Sequence, residues 1–163
     1  MSKEEAKPIT ISSKIVSIYI NNFRVGVVDE EQKKAIDNSK FAYEFSLAFN
    51  TADIGINRIN IISNIKIYLD QSKQTYLGDM ESTGVFEIEN INDIIKEHQG
   101  AIPTVILAMF GGILLSTTRG FLLLKSKDTI VDGALLPIVN IQELFNPSQS
   151  AATATEANPK VVK

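Results

Sequence analysis

The sequence predicts an α+β fold: a four-stranded antiparallel sheet, then a long buried helix and a short C-terminal helix. Three observations carry this. Four segments in the first half alternate apolar and polar residues at the period of a strand. No helical pattern is read between them. A charge-free stretch then runs from Gln99 to Thr118, apolar enough to require burial, for which a core helix is the favoured reading. At 163 residues and 17.9 kDa the chain is long enough for one sizeable core and too short for two ordinary domains.

The first strand spans Ile9 to Val28. Val16, Ile18 and Ile20 alternate with Ser17 and Tyr19, and Phe23, Val25 and Val27 continue on shifted parity, which requires a bulge. A polar interval, Asp29 to Lys34, leads to Phe41, Tyr43, Phe45, Leu47 and Phe49, large apolar residues at a strict spacing of two that give the second strand an aromatic face. The third strand places Ile59, Ile61, Ile65, Ile67 and Leu69 on one face and Arg58, Asn60, Asn64 and Lys66 on the other. Asp70-Gln71-Ser72-Lys73 has hairpin-loop composition, and Thr75 to Ile88 forms the fourth strand. Asn92 is the expected N-cap of a short helix closed by Gly100.

The main helix starts after Pro103. Val105 to Leu115 is apolar around the whole wheel, so it asks for more partners than one thin sheet supplies, and the costly Gly111-Gly112 pair is best explained by another backbone at close range. Self-association through this helix is therefore expected. Its length also suits a bilayer, but Pro103, Gly100, Gly111, Gly112 and the Ser and Thr residues dilute it, so a core helix is favoured over a membrane span. Phe121 to Leu124 reads as a return segment, and Asn140 as the cap of a last short helix through Phe145. Residues 1–8 are expected to be flexible, 9–146 to form a single domain, and 147–163 to be a disordered tail.

Composition narrows function by exclusion. Forty-four per cent hydrophobic and 21% charged residues describe a folded protein. Sixteen Lys plus Arg against nineteen Asp plus Glu give a net charge of -3, so no broad basic surface is offered to nucleic acid. The absence of cysteine removes thiolate chemistry and sulfur-based zinc sites and suits an intracellular, cytoplasmic location. The first eight residues carry both charge signs and lack the apolar core of a secretory signal. His98 is the single histidine, without partners for a triad or transition-metal site, and is expected to interact with the C-terminus of its helix. Asp79, Glu81 and Glu87 share one face of the fourth strand, which a solvated surface explains. No glycine-rich phosphate loop or calcium loop is present. An enzyme is not expected, and neither is a cofactor or metal.

The order of elements, with Gly84-Val85-Phe86-Glu87-Ile88, Arg119-Gly120, Leu136-Pro137, Asn140 and Leu144-Phe145, resembles the SecB family of bacterial protein-export chaperones over roughly residues 10–146. The resemblance implies an ATP-independent holdase built as a dimer of dimers. Sheets would form its outer faces, helices would pack between dimers, and apolar grooves would bind unfolded polypeptides or preproteins. The matching groove positions are Phe45, Leu47, Phe49, Phe86, Leu144 and Phe145, and the same residues filling the sheet–helix core is the alternative. Met109, Gly111, Gly112 and Leu115 are the expected oligomer contacts. Leu77 and Asp79 match the patch on which the translocase motor SecA docks, while Asn22 and Gly26 stand where that patch should be acidic. That departure leaves room for two other functions: a SecB-like chaperone of a toxin–antitoxin system, or an adaptor for one folded partner.

Overall fold

The structure is a computed structural model that describes residues 10–36 and 41–141. Its elements in chain order are β1 (Ser13–Val25), α1 (Glu30–Ile36), β2 (Ala42–Asn50), a 3-10 turn (Ile54–Ile56), β3 (Arg58–Tyr68), β4 (Tyr76–Ile88), α2 (Ile91–Glu97) and α3 (Thr104–Ser126). The strands form one antiparallel sheet in the order β1-β4-β3-β2, so the first two strands lie at opposite edges.

The four expected strands are present, the first of them shortened at both ends. Its parity shift is a bulge at Asn21, where β1 advances from Ile20 to Asn22 while β4 advances only from Ser82 to Glu81, and Val16 makes a second. The bulges keep Ile18, Ile20, Phe23 and Val25 packed against the core.

Helix α1 corrects the expectation that no helix interrupts the strands. The Gln32 amide donates to the Asp29 carboxylate at 2.7 Å, and the Asp29 amide donates to the Gln32 side-chain oxygen at 3.1 Å, which is a reciprocal capping box. Glu30 and Glu31 in the first turn and Lys33 and Lys34 in the last complement the helix dipole. The connection carrying α1 joins the two edges of the sheet.

Two other helix boundaries differ from expectation. Asn90, not Asn92, stands at the N-cap of α2, and its side chain reaches Ser12 and Thr10 instead of the helix. Gly100, at φ +88, ends that region as expected, and His98 Nδ1 donates to the Ile94 carbonyl at 2.8 Å. The main helix does not stop at Arg119-Gly120. It continues to Ser126, because Leu122 and Ser126 prolong the buried stripe of Leu115 and Thr118, so the expected return segment Phe121–Leu124 forms its last turns.

Helix α3 lies across one face of the sheet, chiefly on β1, β4 and β3. Beneath it are two apolar clusters. One is built on Ile59, Ile61, Phe86, Ile106 and Phe110, the other on Ile65, Ile67, Met80, Leu115 and Leu122. A polar line separates them: Ser63 and Ser82 face each other across β3 and β4, and Thr118 descends from α3. Thr118 donates to the Leu114 carbonyl at 2.8 Å, so the 2.6 Å contact from Ser82 is a donation to Thr118. Among the described residues the buried Ser63 hydroxyl has no partner. By length and composition α3 is able to cross a bilayer, with mean hydropathy 1.7, yet 44% of that window is buried inside the protomer.

Candidate functional site

The sheet is wider than the helix that covers it. The inward side of β2 presents Tyr43, Phe45, Leu47 and Phe49, and all four stay half-buried, whereas the inward isoleucines of the adjacent β3 are fully buried. The alternation that makes β2 a strand thus also makes an apolar floor along an edge.

Two features wall this floor. The first is the flank of α3 at Gly111, where an added Cβ would come within 3.0 Å of Leu47 Cδ1 and 3.5 Å of Ile141 Cγ2. The neighbours at Gly111 are thus side chains of the same protomer, not the second backbone expected of the glycine pair. The second wall is the segment after α3. Ala134, Leu136 and Ile141 are buried, while Ile138 is 87% exposed. Tyr43 meets the Leu135 backbone through a hydrogen bond; burial pushes its phenol up to about 12, and that hydrogen bond works the other way. Between α3 and residues 136–141 lies a cleft of about 100 Å³, with Gly112, Ser116 and Arg119 on one side and Leu136, Pro137 and Ile138 on the other.

Of the expected groove residues, Phe45, Leu47 and Phe49 are brought together on this floor. Phe86 is not among them: it is fully buried, its ring centroid 4.8 Å from that of Phe110, so it belongs to the core. Leu144 and Phe145 lie outside the described residues, as do the expected flexible ends 1–8 and 147–163. Ile141 itself, directly after Asn140, is in helical conformation.

The expected oligomer contacts divide. Gly111 and Leu115 are buried in the protomer, whereas Met109 is 40% exposed and Gly112 borders the cleft. Leu77 requires a correction. Between Ile67 and Tyr68 of β3, β4 steps from Gly78 to Tyr76, and this bulge turns Leu77 into the core, away from Asp79. The two cannot share a docking patch on the outer face.

That outer face is charge-balanced. Arg24 makes a forked contact with Asp79, both distances 3.2 Å, and Tyr76 donates to the same carboxylate. Glu87 lies 2.7 Å from Lys14 and 3.4 Å from Arg58, and these cations, Lys14 first, hold its carboxyl below the usual range. Asn21 donates to Glu81 at 2.7 Å. The acids that share one face of β4 are thus tied to neighbours on β1 and β3. Among the described residues no cluster of His, Asp and Glu is arranged to hold a metal.

Sequence reasoning missed Arg119 as part of the site, reading it only as a helix-end motif. The available signal was its isolation: it is the first charged residue after Glu97 and His98, and it lies within an apolar helix.

No family model matches the sequence, and no curated protein matches it. Solved structures do. The chain is similar to a Mycobacterium tuberculosis SecB-like chaperone in complex with a ChAD peptide from the HigA1 antitoxin, at 13% identity and a TM-score of 0.53, over 78% of this chain and 89% of that one. It also matches a protein of unknown function from Streptococcus agalactiae, at 9% identity and a TM-score of 0.43, over 80% of this chain and all of that one. An antiparallel sheet in the order β1-β4-β3-β2, one long helix laid across it and this structural match together make the fold of the chain SecB-like.

Proposed function

We propose that the protein is an ATP-independent holdase that binds unfolded polypeptide along the β2 floor. One observation carries this: Tyr43, Phe45, Leu47 and Phe49 form an extended apolar row that α3 leaves half open. Such a floor gains from desolvating apolar side chains of many shapes and needs no fixed lock for any one of them. The function is non-enzymatic and requires no cofactor. The reading includes self-association into a dimer of dimers through the outer stripe of α3, where Met109 and Gly112 lie, and a cytoplasmic location.

As to clients, the outer face favours the toxin–antitoxin branch over export. Docking of a translocase motor needs an acidic patch, and here Asp79 and Glu87 are each paired with cations while Leu77 is in the core. The SecB-like chaperone of similar fold is bound to an antitoxin peptide, which supports the same choice.

Photo-crosslinking tests the location. A crosslinker in place of Phe49 is expected to capture a permanently unfolded polypeptide without nucleotide, and one in place of Tyr19, on the opposite sheet face, is not. Equal capture at both positions, or none at Phe49, overturns the proposal.

A further inference from the structure

Arg24 and Arg58 each hold a carboxylate, and Arg119, the third arginine of the chain, holds none among the described residues. It is half-buried, so part of its hydration is lost without a compensating ion pair. Among the described residues, the groups around it in the cleft are apolar or small, including Gly112, Leu115, Leu136, Ile138 and Ile141, with Ser116 as the one other polar side chain. A planar guanidinium with a fixed fork of donors is suited to a carboxylate, and a low-polarity wall strengthens that pairing relative to open water. Among the described residues, an added Cβ at Gly112 would meet only Ile141, at 3.8 Å, so this side of the cleft is loosely filled within the protomer.

We propose that this cleft is a second subsite of the client groove, in which Arg119 takes an Asp or Glu side chain of an unfolded polypeptide while the walls take its apolar neighbours. The inference rests on the holdase reading and specifies the client chemistry. Continuity supports it. Leu47 packs at Gly111, Ile141 touches the sites of both Gly111 and Gly112, and Gly112 lines the cleft. Arg119 lies eight positions beyond Gly111, about 12 Å along the helix axis. An extended chain covers that distance in three to four residues at ~3.3 Å each. The preferred client segment therefore has a large apolar residue three to four positions from an acid.

The test uses two unfolded peptides that carry this spacing and differ only in Asp against Asn, titrated with the intact protein by fluorescence anisotropy. The wild type is expected to bind the Asp peptide about tenfold more tightly, as a charge-assisted pair requires. Arg119→Gln is expected to lose that preference while keeping its affinity for the Asn peptide, and Arg119→Lys to retain part of it. Equal binding of both peptides by the wild type overturns the subsite while leaving the groove intact, and so does a preference that survives in Arg119→Gln. Failure of the wild type to bind either peptide overturns the holdase reading, and the subsite with it. Loss of oligomeric mass in Arg119→Gln, read by light scattering, assigns Arg119 to self-contact instead and overturns the proposal.

Discussion

Replacing Phe45 by alanine separates the two roles of the β2 floor. A phenylalanine side chain buries about 200 Å² when fully enclosed. Phe45 is half-buried, so about 100 Å² is committed to the protomer, where it contributes up to ~2.5 kcal/mol at ~25 cal/mol per Å². The other half is open to a client. A polypeptide that covers half of that remainder gains ~1.3 kcal/mol, or about tenfold in affinity. Phe45→Ala should therefore lower stability in urea by about 2 kcal/mol and weaken binding of an unfolded polypeptide about tenfold, with protomer concentration held fixed. Phe86→Leu is the control: enclosed between Gly84 and Phe110, it should lower stability while leaving the affinity of the folded protein unchanged. If Phe45→Ala cost ~3–5 kcal/mol, as for a sealed core aromatic, and left affinity unchanged, the row would be core alone and the reasoning refuted.

The polar line through the core gives two substitutions of opposite sign. Ser63→Ala removes an unpartnered hydroxyl and should raise stability by about 1 kcal/mol, while Thr118→Val leaves the Ser82 donor without an acceptor and should cost about 1–3 kcal/mol, both read from urea unfolding. Gly112→Leu should reduce oligomeric mass in light scattering with the sheet still folded, because among the described residues only Ile141 comes near a Cβ at that position; retained mass removes α3 as the association surface. The Tyr43 phenol sits higher in the folded state than its usual 10.0, at about 12, so the folded state keeps the proton that the unfolded state loses. Stability from this group is full below pH 10 and is lost as pH rises toward 12, and Tyr43→Phe should flatten that alkaline loss in urea midpoints measured across the window.

The strands were legible because a half-buried sheet writes its faces as alternation, and Asn21 was detectable as a bulge because parity changed around it. The bulge at Leu77 left no such mark: Leu77, Asp79 and Glu81 keep an unbroken spacing of two, and only the pairing with Tyr68 and Ile67 turns Leu77 inward. Helix α1 was hidden because its seven residues carry little apolar period and its signal is the Asp29–Gln32 capping box. Gly120 suggested a helix end, but its helical propensity cost is only about 1 kcal/mol and the burial of Leu122 outweighs it. On the site, the row of β2 was readable, yet whether it lay open depended on where α3 crosses the sheet, which no local pattern encodes. Phe86 shows the converse: the same residue type on a central strand is sealed by Phe110. Arg119 became visible as a candidate subsite only once Leu136 to Ile141 were seen folded beside it.

Calorimetric titration of the intact protein with a permanently unfolded polypeptide, repeated at several temperatures without nucleotide and with the folded form as control, tests the central claim most directly. The account predicts micromolar or tighter binding of the unfolded form alone, with a negative heat-capacity change from apolar burial. Binding of neither form, or equal binding of both, would contradict it.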